Sequence, residues 1–131
     1  MIIVDASVAA KWFLDEPGSD AARSVLEEGP LGAPDLILPE TVNALWAAAR
    51  RGRLPPAGPA QAASLLASRL TRLEPSANLI AAAADLARRA DHTVYDCLYL
   101  ALGRLAASPV VTADRRLAEA AETLGVEARM L

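Results

Sequence analysis

Between Thr93 and Leu102 the chain reads Thr-Val-Tyr-Asp-Cys-Leu-Tyr-Leu-Ala-Leu. At helical spacing this stretch is apolar on every face except for one carboxylate, Asp96. A helix hydrophobic all round belongs in a protein interior, and an ionised carboxylate taken out of water costs several kcal/mol unless a partner compensates it. No Lys or Arg lies within a helical turn of Asp96 on either side. The charge therefore needs a partner from elsewhere, and a metal ion is one candidate. A plainer account stands beside it: Thr93-x-x-Asp96 also fits the capping-box pattern that opens a helix.

The chain has 131 residues, enough for one domain with a substantial core. Its apolar fraction is 53%, yet no apolar run approaches the roughly 18 residues of a membrane helix. The start, Met1-Ile2-Ile3-Val4-Asp5, has no basic region and meets an acid at once, unlike a signal peptide. Cys97 is the only cysteine, which excludes an internal disulfide and a Cys-rich zinc site. A cytoplasmic protein with no membrane partner is the expectation. His92 is the only histidine, leaving little for a His-based metal site or a Ser-His-Asp triad.

Ile2-Ile3-Val4 is a short β-branched run of the kind found in buried parallel strands, and it ends on Asp5. The pattern then predicts a helix over 7–14, a second from Ser19 or Asp20 to about Glu28, and a short strand over 31–33. A third helix opens between Pro34 and Pro39. Its core stripe is expected to be Val42, Leu45, Trp46 and Ala49, with Glu40 and Asn43 on another face. Arg50-Arg51-Gly52-Arg53 closes it with cations and a glycine.

Further along, the pattern predicts a helix over 60–68, a strand over 70–73 and an alanine-rich helix from Pro75-Ser76 to about Ala90. After the Asp96 helix comes a second β-branched run, Pro109-Val110-Val111-Thr112, followed by Asp114. A helix over 117–124 and a strand over 126–130 complete the chain. Strands alternating with helices indicate βαβ units. The fold class is α/β: a parallel sheet of about five short strands covered on both faces.

In such sheets ligands bind beyond the carboxyl ends of the strands, where strand order reverses. Asp5 and Asp114 sit directly after apolar strands, and Glu40 and Asp96 sit in first turns of helices. Four carboxylates can thus converge from four distant parts of the chain. Each also has a local role available, as an N-cap or a dipole partner, and Asp35 after Pro34 is the best spare acid, read as a cap. If the four do meet, two carboxylates about 5 Å apart repel by roughly 3 kcal/mol at an effective dielectric near 20. Four such groups call for a cation, and hard oxygen donors select Mg²⁺ or Mn²⁺, one or two per site.

The net charge of −3 does not advertise nucleic-acid binding. Without the four acids, however, the balance becomes +1, so the acidity sits largely in the candidate site. The chemistry implied is metal-assisted phosphodiester hydrolysis. Arg50, Arg51, Arg53, Arg115 and Arg116 are candidate phosphate contacts, or else helix-end and solvated charges.

These residues resemble the PIN-domain nucleases, specifically the VapC-type toxins of toxin–antitoxin pairs. The resemblance rests on four segments: Ile3-Val4-Asp5-Ala6-Ser7, Pro39-Glu40-x-x-Asn43-x-Leu45, Tyr95-Asp96-x-x-Tyr99-Leu100-Ala101-Leu102, and Val111-Thr112-Ala113-Asp114-Arg115-Arg116-Leu117. Any one is weak; all four in this order are specific, and they cover nearly the whole chain. The resemblance implies an α/β/α sandwich over residues 1–131 and an endoribonuclease whose acidic quartet holds Mg²⁺ or Mn²⁺. Asp5 and Asp96 would be the principal ligands, Glu40 and Asp114 would complete the cluster, and Ser7, Asn43 and Thr112 would be polar supports. It also implies an RNA substrate, a small antitoxin and a homodimer. Cys97 stands where the family commonly has alanine.

Two other readings are weaker. Asp5-Ala6-Ser7-Val8-Ala9 half-matches a metal-dependent adhesion signature, Asp-x-Ser-x-Ser, but Ala9 lacks the last ligand. A phosphohydrolase with Asp5 as covalent nucleophile would want an acid at position 7, where Ser7 stands. A PIN nuclease acting in RNA processing rather than as a toxin is the alternative within the family.

Overall fold

Five runs of three or four residues pair into one all-parallel sheet of order β3-β2-β1-β4-β5. The structure, a computed structural model, describes residues 1–131. The strands are β1 (Ile2–Val4), β2 (Leu31–Pro34), β3 (Arg72–Glu74), β4 (Val110–Thr112) and β5 (Ala128–Met130). The helices are α1 (Ala6–Lys11), α2 (Ser19–Val25), α3 (Ile37–Arg50), α4 (Gly58–Leu66), α5 (Ile80–Ala90), α6 (Val94–Ala106) and α7 (Arg115–Leu124). The expected α/β architecture of five short parallel strands flanked by helices is what forms.

β1 lies at the centre, with Ile3 opposite Gly32 on one side and Val110 on the other. Strand order runs outward from β1 in both directions, so the switch point falls between the carboxyl ends of β1 and β4. Ile3, Val4, Val110 and Val111 are fully buried, as continuous apolar strands covered on both faces must be. The outer strands differ. Leu73 and Met130 are exposed, and Arg72, Glu74 and Arg129 place charge on the two edges, which discourages pairing with another chain.

α6 runs through the middle of the core. Every residue from Cys97 to Gly103 is buried, whereas its ends surface at Tyr95 and Leu105, 65% and 61% exposed. Gly103 is where α6 meets the sheet: a Cβ there would lie 2.8 Å from Val110 Cγ2 and 3.2 Å from the Ser108 carbonyl. The helix stops at Ala107, whose backbone takes the left-handed conformation at φ 46°.

Several boundaries differ from the sequence expectation. α1 ends at Lys11 rather than Leu14, and Trp12 leaves the helix to donate its indole N–H to the Ala22 carbonyl at 2.9 Å. Ser76–Asn78 forms a 3-10 turn before α5 begins. Asp35 caps no helix of its own; its Oδ1 accepts the backbone N–H of Ser76 at 2.9 Å and the Ser76 hydroxyl. The buried stripe of α3 is Ile37, Thr41, Leu45 and Ala48, rotated by one residue from the expected one. Small Ala48 packs with Ala10, Leu14, Leu45 and Ala62 in a second core cluster. Trp46 stays 51% exposed, with the Arg50 guanidinium 5.2 Å over its ring. A bulky indole fits the surface here because alanines fill the narrow contact between α1 and α3.

Candidate active site

β1 and β4 end side by side, and the residues that follow them interlock through their side chains. Asp5 is extended at φ −100°, ψ 175°, and caps α1. Its Oδ1 accepts the Val8 N–H at 3.1 Å and the Ser7 hydroxyl at 2.6 Å; its Oδ2 accepts the Thr112 hydroxyl at 2.6 Å. Ser7 Oγ in turn accepts the Ala113 N–H at 2.8 Å, and Thr112 Oγ1 accepts the Asp114 N–H at 2.9 Å. Two short hydroxyl side chains thus tie the β1–α1 turn to the β4–α7 turn. Asp114 caps α7, with Oδ1 accepting the Arg116 N–H at 2.8 Å. The capping role and the place at the switch point coexist in both aspartates.

Glu40, in the first turn of α3, reaches α6, where its Oε1 accepts the Tyr99 hydroxyl at 2.7 Å. Tyr99 is 1% exposed; burial first, then the neighbouring carboxylates, hold its phenol far above its ordinary pKa, so it serves only as a donor. Asp96 takes the capping geometry its sequence allows, its N–H donated to Thr93 Oγ1 at 3.2 Å. The carboxylate itself has a partner that is neither Lys nor Arg: His92 Nε2 lies 2.7 Å from Asp96 Oδ2. The signal was present as an i, i+4 spacing to the lone histidine. Asp96 therefore has a hydrogen-bond partner within its own segment, besides any cation the site holds.

Asp5 feels the charge of Asp114, and Glu40 feels the charges of Asp96 and Asp5. Burial raises the Asp5 pKa, the bonds from Ser7, Thr112 and Val8 oppose the rise, and the charge of Asp114 adds to it. Burial likewise raises Glu40, Tyr99 opposes, and the charges of Asp96 and Asp5 add. None of Asp5, Glu40 and Asp114 forms a salt bridge with Lys or Arg. Asn43 is exposed, one helical turn beyond Glu40, and holds none of the acids. Arg115 and Arg116 are exposed beside Asp114. Arg50 and Arg51 lie at the far end of α3, about 15 Å from Glu40 by helical rise, and Arg53 follows in the turn beyond, its N–H bonded back to the Ala48 carbonyl.

No three Asp, Glu, His or Cys side chains converge closely enough to grip an ion as they stand. The donor chemistry nevertheless fits a hard cation. Each acid has one oxygen or more anchored by the protein, and Glu40 Oε2, Asp96 Oδ1 and Asp114 Oδ2 carry no such bond. Mg²⁺ is ordinarily held by one or two carboxylates with water completing its shell, without an all-protein cage.

The raised pKa values of Asp5 and Glu40 fix the sign of a pH effect. An acid whose folded pKa is raised contributes stability below its unfolded pKa and loses it as pH rises through the folded value. Metal-free protein is therefore expected to melt at a higher temperature as pH falls from 7 toward the ordinary carboxylate range. Glu16, lowered mainly by its bonds from Lys11 and Arg53, acts in the opposite sense only at lower pH. Adding Mg²⁺ or Mn²⁺ at pH 7 should also raise the melting temperature, because the ion binds only the folded chain. Calorimetry in EDTA checks this, and a melting temperature that falls over that pH range would contradict it.

Residues 2–123 match the PIN domain family model, and the chain belongs to that family. Among known proteins it is similar to Ribonuclease VapC3 of Pyrobaculum aerophilum, at 33% identity over 124 residues, 90% of this chain and 92% of that one. Two crystal structures share the fold. VapC20 of Mycobacterium tuberculosis, described as a sarcin–ricin loop cleaving toxin, superposes with a TM-score of 0.74 at 22% identity, over 92% of this chain and 95% of its own. PAE2754 from Pyrobaculum aerophilum gives 0.70 at 27% identity, over 97% and 89%.

Proposed function

We propose that this protein is a divalent-metal-dependent endoribonuclease of the VapC type, the toxin of a toxin–antitoxin pair. The observation that carries the reading is Asp5, buried at the switch point and coupled to Asp114 and Glu40, with Glu40 coupled in turn to Asp96 and none of the four paired with a Lys or Arg. The likeness to Ribonuclease VapC3 supports a nuclease acting on RNA.

Asp5 and Asp96 are the principal ligands in this reading, with Glu40 and Asp114 completing the set. A divalent cation held there would supply Lewis acidity toward the phosphate and lower the pKa of a water to make it a nucleophile. The chain's own residues do the positioning. Ser7, Thr112 and the Val8 N–H lock Asp5, His92 orients Asp96, and Tyr99 turns Glu40 toward its neighbours. Arg115 and Arg116 flank the place where a phosphate would sit. Asn43, exposed on the Glu40 side of α3, serves as a polar support toward the substrate. A small antitoxin and a second copy of the chain are the protein partners, and the cytoplasm is the location. No helix of the structure is long and apolar enough to cross a membrane.

Purified protein is expected to cut RNA internally with Mg²⁺ or Mn²⁺, to stop in EDTA and to resume when the metal is restored. Absence of cleavage with either metal across a panel of cellular RNAs would sink the nuclease reading. Induced expression in bacteria tests the toxin role separately. Wild type should arrest growth and Asp5→Asn should not; growth unaffected by wild type would favour an RNA-processing nuclease.

A further inference from the structure

One groove of about 450 Å³ leaves the acidic site between α1 and α3. Alanines and Leu14 make half of its lining; the polar half is Ser7 and Glu40 at the near end and Lys11, Glu16, Arg51 and Arg53 beyond them. Three of these side chains are cations, and a single carboxylate, Glu16, opposes them. Glu16 is bound at both oxygens: Oε1 is 2.9 Å from Lys11 Nζ, and Oε2 is 2.8 Å from Arg53 Nη2. Arg51 makes no salt bridge with any acid. The groove therefore runs from a negative end, where a cation is called for, to an end with excess positive charge.

That polarity suits a polyanionic strand rather than a peptide of mixed charge. A strand with one phosphate at the acids must carry its next negative charges along the groove, toward Arg51. We infer that Lys11, Arg51 and Arg53 form a second phosphate subsite for single-stranded RNA, with Glu16 standing in for a phosphate between Lys11 and Arg53 in the free protein. The inference rests on the ribonuclease reading and extends it from the scissile bond to the flanking backbone. Arg51 makes the first contact, because it has no internal partner to give up. Lys11 and Arg53 engage only as the strand competes with Glu16, so Glu16 sets how tightly RNA is held.

Fluorescence anisotropy with a short unstructured RNA, measured over a range of KCl in an Asp96→Asn background that does not cleave, tests this. Each phosphate contact on a single strand contributes about 0.7 to the slope of log affinity against log salt. Arg51→Ala should weaken binding several-fold and flatten that slope by roughly 0.7. Glu16→Gln should tighten binding at low salt and steepen the slope. Because Glu16 also joins two loops, melting curves must show that its variant is folded; Arg51→Ala has no ion pair to lose and decides the matter alone if it is not. Unchanged affinity and slope in Arg51→Ala overturn the subsite, as they would if the groove held a peptide. RNA cleavage by the unsubstituted protein, assayed in parallel, separates the two failures. Cleavage with unchanged slopes removes only the subsite, whereas neither cleavage nor binding removes the ribonuclease reading as well.

Discussion

Asp96→Asn is expected to abolish RNA cleavage while leaving the fold in place. Residues that only support a metal ligand typically cost 10–100-fold when changed, so loss of a ligand's own charge should lower the rate by at least about a hundredfold. Stability should barely move. The Asp96 backbone N–H still reaches Thr93 Oγ1, the side chain is only partly buried, and an amide oxygen can take the place of Oδ2 beside His92. A melting temperature within about 3 °C of wild type, with cleavage gone, is the expected pair of results. Full cleavage by Asp96→Asn would remove this residue from the site.

Asp5→Asn is the less clean variant, although the chemistry predicts the same loss of activity. Asp5 is 5% exposed and accepts three bonds. An amide nitrogen in place of Oδ2 would face Thr112 Oγ1, which already accepts the Asp114 N–H. Relief of a buried charge is thus offset by a broken connection between β1 and β4.

The second large effect concerns stability. Leu100→Ala should destabilise the fold by about 2–5 kcal/mol, because Leu100 is fully buried in α6 and the cavity left behind closes only in part. For a chain of this size that corresponds to a fall in melting temperature of roughly 6–20 °C. Leu105→Ala on the same helix removes a side chain that is 61% exposed and should change stability by no more than about 0.5 kcal/mol. Equal effects of the two substitutions in chemical denaturation would mean that α6 does not sit as described.

What the sequence disclosed follows from how local each signal is. The strand runs Ile2–Val4 and Val110–Thr112 are short and β-branched, and an acid follows each, so both strands and the switch-point pair Asp5 and Asp114 were legible. Periodicity placed α3 but not its rotation: with alanine at so many positions, Trp46 outweighed its smaller neighbours in the pattern, while packing against α1 favoured Ala48. The reach of Tyr99 to Glu40 joins residues 59 positions apart, and no local pattern encodes it. His92 was hidden differently. Its i, i+4 spacing from Asp96 is plain, but a lone imidazole outside the helix signals a hydrogen-bond partner less clearly than a Lys or Arg would.

The hydroxyl of Thr112 that closes on Asp5 comes from a residue 107 positions downstream. As the chain emerges from the ribosome, Asp5 and Ser7 are exposed early, but the groups that complete their surroundings are made among the last. β1 stays unpaired on one flank until β4 has been translated. A fragment that stops short of Thr112 lacks both the fourth acid and the Thr112 contact that fixes the first. Translation order thus delays the assembly of the acidic site until most of the polypeptide exists, so prematurely terminated products should be inactive in the RNA cleavage assay.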